Sequence, residues 1–216
     1  MINLLGKKSS LLKQYIAELR DVTIQKDSLR FRRNMERIGE IFAYEISKTL
    51  EWKTTEVTTP LGVAECQVLA KQPVIATILR AGLPLHRGLL NYFDRAENAF
   101  ISAYRKHHKD NRFSIQVEYT SSPSTQDKYV ILSDPMLATG ASLTLAYKEL
   151  LKKGQPIHTN IVSILASVQG VEYLKKNLPS GSYTLWLGEL DDELTAKAYI
   201  VPGLGDAGDL AFGSKL

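Results

Sequence analysis

From Val74 onward, apolar segments alternate with segments of helical periodicity, and this alternation constrains the fold more than any other feature. The apolar segments are nearly continuous, which is typical of strands buried on both faces of a parallel sheet. Strands are predicted at residues 74–79, 99–104, 130–132, 161–165 and 183–187, and helices at residues 83–92, 142–152 and 171–178. We therefore expect an α/β fold with a parallel-sheet core flanked by helices.

The part of the chain before this alternation is expected to add a helical segment and a β-hairpin. Apolar residues recur at helical spacing after Ser9 and Ser10, and a longer helix is predicted from Asp27 towards Leu50. The apolar side of that longer helix consists of Phe31, Met35, Ile38, Phe42 and Ile46. Segments 54–59 and 63–69 flank a turn at residues 60–62, a pattern that indicates two paired strands.

Length and composition limit the class of protein. The 216 residues contain no internal repeat or low-complexity linker, so we expect a single domain over residues 1–216. The formal charge of +4 is a modest basic excess that fits a polyanionic small substrate. Cys66 is the single cysteine, which excludes an intrachain disulfide and a cysteine-rich zinc site. With no apolar run long enough for a secretory leader or a bilayer, we expect a cytoplasmic protein without membrane contact.

Three charged residues follow the apolar cores of separate predicted strands. They are Arg80, Arg105 and Asp134. Ligands of open α/β sheets bind beyond the carboxyl ends of the strands, so these three side chains should converge on one edge of the sheet.

The segment from Asp134 to Ser142 has the pattern of a sugar-phosphate site. It leads from a strand to the start of a helix, where backbone N–H groups without intrahelical partners and the helix dipole favour an anion. Thr139 and Ser142 can donate from their hydroxyls, and Gly140 lets the backbone approach a phosphate closely. The Asp134 carboxylate would instead accept hydrogen bonds from a pair of sugar hydroxyls. The alternative is an ordinary connection in which Asp134 and Thr139 only cap the helix.

This segment resembles the phosphoribosyl diphosphate (PRPP) signature of the type I phosphoribosyltransferases, in the version found in the uracil phosphoribosyltransferase family. Segments 78–83, 103–105 and 199–209 strengthen the resemblance, because four motifs then occur in the family's order. The resemblance implies a type I phosphoribosyltransferase fold and transfer of a ribose phosphate from PRPP to uracil, giving UMP and diphosphate. It also implies an oxocarbenium-like displacement in which positioning and charge neutralisation supply most of the catalysis.

The resemblance also implies roles for individual residues. Arg80 and Arg105 should bind diphosphate, Asp206 should contact both PRPP and the base, and catalysis should depend on Asp206 and Arg105. The residues implied to bind the ribose and its 5′-phosphate are Asp134, Pro135, Met136, Leu137, Ala138, Thr139, Gly140, Ala141 and Ser142. The residues implied to surround uracil are Ile200, Gly205, Asp206 and Ala207. Mg²⁺ is the expected cofactor and should arrive with PRPP, because clustered carboxylates are too few for a metal site made by the protein alone.

Two positions bear on which base is bound and on the geometry of the loop that is implied to bind the 5′-phosphate. Ala138 stands where many purine relatives carry an acidic residue, so it disfavours a purine substrate, although alanine is also simply a small loop residue. Ala141 stands where uracil enzymes commonly carry a second glycine, and a methyl group costs little in a helical conformation.

The polar segment 106–128 is expected to form a flexible lid loop over PRPP. Its adjacent histidines, His107 and His108, lack metal-ligand spacing and are interpreted as solvated loop residues.

Two other functions use the same fold. A pyrimidine-responsive RNA-binding regulator would need a concentrated basic face, and the small basic excess argues against nucleic acid as a partner. A phosphoribosyltransferase for another base would keep the PRPP motifs and differ at the base loop. The resemblance further implies a homo-oligomer, a dimer or larger. It leaves open an allosteric nucleotide such as GTP at basic sites, for which the helix face with Arg30, Arg32, Arg33 and Arg37 is one location.

Overall fold

The computed structural model describes the backbone of residues 1–107 and 113–214, and the side chains of residues 1–103 and 117–214. The helices are α1 (Leu11–Arg20), α2 (Ser28–Ser47), α3 (Leu83–Tyr92), α4 (Ala141–Leu151), α5 (Val168–Asn177) and α6 (Ala207–Phe212). The strands are β1 (Ile2–Leu4), β2 (Trp52–Thr59), β3 (Gly62–Leu69), β4 (Val74–Leu79), β5 (Glu97–His107), β6 (Phe113–Ser121), β7 (Tyr129–Ser133), β8 (Met136–Leu137), β9 (His158–Ser167), β10 (Tyr183–Asp191), β11 (Glu193–Leu194) and β12 (Ile200–Val201).

The core of the fold is one eight-stranded sheet. Its order is β1–β10–β9–β7–β4–β5–β6, and β8 also pairs with β9. All of these pairings are parallel except that of β5 with β6, which is antiparallel. The predicted α/β fold with a mostly parallel sheet is confirmed.

Helices cover both faces of the sheet. Alternate residues of one strand belong to different apolar clusters: Ile75 and Ile131 pack with α1, α2 and α3, whereas Val74 and Val130 pack with α4 and α5. This burial on both faces explains why the strands read as continuous apolar runs. All five residues predicted for the apolar side of α2 are almost completely buried in the first cluster.

Both ends of α2 have local causes. The Asp27 carboxylate accepts hydrogen bonds from the backbone N–H groups of Leu29 and Arg30, and thereby caps the first turn. At the other end, the N–H groups of Thr49 and Leu50 bond to carbonyls three residues earlier, so the chain tightens and leaves the helix. The predicted helix is therefore present and ends slightly before the predicted boundary.

The predicted β-hairpin is also present. Strands β2 and β3 pair antiparallel from Trp52 opposite Leu69 to Thr59 opposite Gly62, and form a separate two-stranded sheet. Its residues are mostly exposed to solvent.

The segment predicted as an irregular lid loop differs from that prediction. Residues 113–121 form strand β6, which pairs with β5 as far as His107 opposite Phe113. Alternation of apolar with polar residues, as at Val117 and Tyr119, is a strand pattern that the polar composition of the segment obscured. Residues 108–112, including His108, lie outside the described residues, and the lid role stays a prediction. Among the described helices, none combines the length and apolar character needed to cross a bilayer.

Candidate active site

A cleft of about 870 Å³ opens at the carboxyl ends of β4 and β7, where parallel sheets place their ligands. Three segments that are distant in sequence form its walls. They contribute Ile78, Leu79, Arg80 and Ala81; Asp134, Met136, Leu137, Ala138, Thr139, Gly140, Ser142 and Leu143; and Ala198, Tyr199, Ile200, Gly205, Asp206, Ala207 and Gly208, with Ser102 and Ala103 from β5.

The second segment is a loop that delivers the N-terminus of α4 to the cleft. Gly140 caps the helix in the left-handed region, with φ +79°, and a Cβ there would also lie 2.8 Å from the Gly170 carbonyl oxygen. Glycine is therefore required by both conformation and space. Thr139 and Ser142 line the cleft on either side of it, so hydroxyls and a helix N-terminus face the same cavity.

Helix α5 supports this loop from behind. The Ser167 hydroxyl donates to the Ala138 carbonyl oxygen at 2.6 Å and accepts from the Gly170 N–H at 2.9 Å. Gly170 packs so closely that a Cβ there would overlap with the Ala138 carbonyl. The apolar pattern predicts a helix start only at residue 171, after Ser167 and Gly170, although serine three positions before a helical N–H is a capping signal.

Asp134 contributes a carboxylate to the cleft. Its backbone is fixed, because its N–H donates to the Val162 carbonyl at 3.1 Å and its own carbonyl accepts from the Ser163 hydroxyl at 2.6 Å. From the described residues, its carboxyl accepts one long bond, from the Met136 N–H at 3.4 Å. Desolvation in this position raises the pKa of the Asp134 carboxyl to about 7, against which the Met136 hydrogen bond acts weakly.

Arg80 follows β4, and the Leu79–Arg80 peptide bond is cis. Its guanidinium Nη2 donates to the Gly213 carbonyl oxygen at 3.1 Å and lies 3.5 Å from a carboxylate oxygen of Asp209. Its buried Nε has no hydrogen-bond partner among the described residues. The cleft therefore receives a cation whose donors are only partly used.

The C-terminal wall is an irregular loop. After β12 the chain passes through a cis bond to Pro202, then Gly203 and Gly205 adopt φ values of +57° and +95°. The Asp206 carboxylate accepts from the Asp209 N–H at 3.0 Å and so caps α6. Outside regular pairing, the backbone groups of such a loop are available to a ligand.

A family model described as uracil phosphoribosyltransferase matches residues 7–214. The chain belongs to the uracil phosphoribosyltransferase family. A uracil phosphoribosyltransferase from Porphyromonas gingivalis is 57% identical over 212 residues, which cover 98% of each protein. Another, from Thermococcus gammatolerans, is 38% identical over 96% of this chain and 92% of its own length. The solved structure of a protein from Aquifex aeolicus matches with a TM-score of 0.88 at 28% identity, over 100% of both chains.

The sequence-based resemblance to the uracil phosphoribosyltransferase family is thus confirmed, and the cleft gathers most of the predicted site residues. Pro135 and Ala141 do not line it: the Pro135 carbonyl accepts from the N–H groups of Ile164 and Leu165, and the Ala141 N–H donates to the Thr139 hydroxyl at 3.4 Å. Both residues therefore shape the backbone of the loop. The backbone of Arg105 continues β5, and its side chain lies outside the described part of the chain.

The same cleft offers oxygen ligands for a cation. Among the side chains of residues 1–103 and 117–214, no group of three or more His, Cys, Asp or Glu is arranged to hold a metal ion. Asp134 and Asp206, however, both line the cleft. Two carboxylates in a cleft that also holds a helix N-terminus would fit Mg²⁺ held mainly by substrate phosphates, since this ion is commonly bound through one or two carboxylates plus phosphates.

Proposed function

We propose that the chain transfers the phosphoribosyl group of PRPP to uracil, with UMP and diphosphate as products. The observation that carries the proposal is the convergence, on one cleft, of a helix N-terminus with hydroxyls, a carboxylate, an arginine and a loop of irregular backbone. These features match the phosphate, the diol, the diphosphate and the planar base of the two substrates.

The ribose phosphate is assigned to the loop before α4. The 5′-phosphate would accept hydrogen bonds from the Thr139 and Ser142 hydroxyls and from the first N–H groups of the helix, where the dipole favours negative charge. The Asp134 carboxylate would accept from the ribose hydroxyls. Those bonds favour the ionised form and would lower the pKa that burial has raised.

The diphosphate is assigned to Arg80, and also to Arg105 on the family resemblance. The planar guanidinium can donate two parallel hydrogen bonds to phosphate oxygens. Mg²⁺, bound through Asp134, Asp206 and the phosphates, would neutralise further charge on the leaving diphosphate. Together these groups favour breaking of the bond between the anomeric carbon and the diphosphate oxygen as the bond to the uracil nitrogen forms and its proton leaves.

The base is assigned to the loop from Ile200 to Ala207. Backbone N–H groups would donate to the uracil carbonyls, and a backbone carbonyl would accept from the ring N–H. Ile200 and Ala207 are buried and provide apolar contact. Asp206 lies between them in sequence and is the proposed catalytic residue, whose carboxylate would accept the proton that leaves the uracil nitrogen.

Radiolabelled product formation from uracil, cytosine and hypoxanthine tests the assignment. Uracil presents a carbonyl where cytosine presents an amino group, so a loop donor aimed at that position would face another donor. A site built on such bonds can reject the wrong base by roughly 10⁴–10⁵. Comparable turnover of cytosine or hypoxanthine would remove uracil as the substrate while leaving the PRPP site intact.

We also propose that the chain forms a homo-oligomer and is cytoplasmic, whereas activation by a nucleotide such as GTP stays open. For the basic face of α2 the structure supports internal pairing: Arg30 is paired with Glu18 at 2.8 Å and Arg33 with Glu36 at 2.7 Å. Arg32 donates to the Ala211 carbonyl at 2.6 Å.

A further inference from the structure

An arginine–carboxylate pair lies directly behind the base loop. Arg20 is the last residue of α1 and Asp191 the last residue of β10, 171 residues apart in sequence. The guanidinium donates to both carboxylate oxygens, with Nη1 at 2.8 Å from Oδ2 and Nη2 at 2.7 Å from Oδ1. This bidentate geometry is the strong and directional form of the pair. The Asp191 side chain is 7% exposed and that of Arg20 is 19% exposed, so solvent screens the pair weakly.

The same pair binds both backbone polar groups of Gly203. Arg20 Nη1 donates to the Gly203 carbonyl oxygen at 2.8 Å, and the Gly203 N–H donates to Asp191 Oδ2 at 3.0 Å. Gly203 has φ +57°, and a Cβ there would overlap with the Ile200 carbonyl oxygen. The loop thus turns sharply at a residue whose N–H and C=O are each held by one member of the pair.

The other described anchor of this turn is apolar: the Leu204 side chain is 5% exposed and packs in the first apolar cluster, but it makes no hydrogen bond that orients the backbone. Regular pairing stops at Val201 opposite Glu193, and α6 begins only at Ala207. The part between them contains Gly205, one of the residues assigned to uracil. Gly203, Arg20 and Asp191 do not line the cleft themselves. They can therefore act on the base only through the loop.

We propose that Arg20 and Asp191 are positioning residues for the base, which hold the loop around Gly203 so that its backbone groups face the bound pyrimidine. The proposal rests on the proposed function in one respect, namely that this loop binds the base. Without the pair the loop would keep its sequence, its cleft-lining residues and its apolar anchors, but lose the two hydrogen bonds that orient the backbone at Gly203. Misplacement of binding groups by even about 1 Å is enough to weaken a preorganised site strongly.

The competing interpretation is that the pair merely ties α1 to β10. Arg20 also lies 3.1 Å from Glu189, which is consistent with such a tie. The chain offers a matched control in Arg30, which forms a bidentate pair with Glu18 at 2.9 and 2.8 Å and joins α2 to the same helix α1. That pair has the same chemistry and no contact with the base loop.

The test compares Arg20→Met with Arg30→Met in steady-state kinetics with uracil and PRPP. We expect Arg20→Met to raise KM for uracil by at least about tenfold while KM for PRPP stays within about twofold. Arg30→Met should leave both constants within about twofold. Equal increases of both constants in Arg20→Met, or equal behaviour of the two variants, would overturn the proposal.

A double variant separates positioning from stability. Arg20→Met leaves the Asp191 carboxylate buried without its cation, which is destabilising, and adding Asp191→Asn removes that uncompensated charge. We expect Arg20→Met/Asp191→Asn to regain thermal stability and to keep the raised KM for uracil. Recovery of KM together with stability would mean that the pair is only structural. Should Arg20→Met fail to fold, Arg20→Lys replaces it, because lysine keeps the charge and loses the bidentate geometry.

Hydrogen exchange of the ligand-free protein makes the result independent of the proposed function. Backbone amides of residues 199–206 should exchange faster in Arg20→Met than in wild type, and at the wild-type rate in Arg30→Met. Unchanged exchange in Arg20→Met would overturn the positioning role. If wild type used another base, the proposed function would fail, and KM for that base would replace KM for uracil in the same comparison.

Discussion

Asp134 occupies a position that disfavours the ionised form of its carboxyl. Its carboxyl accepts one long hydrogen bond and is otherwise desolvated, so its pKa of about 7 lies well above the ordinary 3.8. The folded protein therefore holds the proton more tightly than the unfolded chain does. It follows that ionisation of Asp134 destabilises the fold as the pH rises from about 4 to about 7, with no further change above that range.

Asp134→Asn should consequently stabilise the protein at high pH and weaken its use of PRPP. At about 1.4 kcal/mol for each pH unit between the two pKa values, the gain near pH 8 is at most about 4 kcal/mol and should vanish near pH 4. Denaturant unfolding of both proteins at the two pH values measures it. Loss of charge-assisted bonds to the ribose should cost about 1.5–3 kcal/mol in kcat/KM for PRPP. A pH-independent stability difference would contradict the environment described for Asp134.

The pH dependence of the wild-type enzyme follows from the same group. The ionised carboxylate can accept from both ribose hydroxyls, whereas the protonated form converts one acceptor into a donor. We expect KM for PRPP to fall as the pH rises through about 7, and to lose this dependence in Asp134→Asn. Steady-state kinetics between about pH 5.5 and 8.5 measures both profiles. An identical profile in the two proteins would assign the titration to another group, such as the phosphates of PRPP.

Arg80→Lys should not behave as a conservative substitution. The arginine guanidinium can donate to diphosphate while one of its nitrogens stays on the Gly213 carbonyl, whereas lysine keeps the charge but has a single nitrogen. We therefore expect a loss of about 1–3 kcal/mol in kcat/KM for PRPP. Arg87→Lys, at a 76% exposed side chain of α3, is the control and should change nothing. A change at Arg80 no larger than that of the control would remove Arg80 from the diphosphate site.

At the scale of the elements, the apolar pattern predicted the strands that are buried on both faces of the sheet. It missed strands that only their pairing with a neighbour defines. Residues 74–79 form a strand with the predicted boundaries because all of its side chains but the last are buried. Strand β1 was missed because three residues carry no period, and it exists only by pairing with β10. Strand β6 was missed because its polar residues alternate with apolar ones at the sheet edge. For β1 the decisive partner is remote in sequence, whereas β6 pairs with the strand directly before it, β5.

Helix α5 contacts the loop that precedes α4, and this contact should reverse the usual effect of replacing a helical glycine by alanine. Alanine normally favours a helix over glycine by about 1 kcal/mol, yet a Cβ at Gly170 would overlap with the Ala138 carbonyl. Gly170→Ala should therefore destabilise by about 1–3 kcal/mol and raise KM for PRPP more than KM for uracil. The exposed neighbour Gln169→Ala is the control for unfolding and kinetics. Stabilisation by Gly170→Ala would contradict this, because it would show that the Ala138 carbonyl can move aside at no cost in stability.

At the scale of the whole molecule, the motifs predicted most of the residues that line the cleft. They did not predict the contacts that bring its walls together. Asp134 and Arg80 were predictable because each follows an apolar strand, and parallel strands bring such residues to one edge. The strand order, which sets β7 beside β4, could not be read from the chain. Nor could the attachment of the base loop to Arg20, since α1 shows only an apolar stripe in sequence and its terminal arginine reads as a surface charge.

A ligand that fills the cleft should therefore join distant parts of the chain. UMP spans the proposed phosphate, ribose and base subsites, so at about 100 times its Kd it should add about 2.7 kcal/mol of stability, which raises Tm by roughly 5–10 °C for a chain of this size. CMP should give a smaller shift at equal concentration, because the base loop would face an amino group. Hydrogen exchange should slow in segments 134–143 and 198–208, which line the cleft, and stay unchanged in β2 and β3, which do not. Protection confined to 134–143 would keep the phosphate subsite and place the base elsewhere. Equal shifts with UMP and CMP would mean that this loop does not read the base.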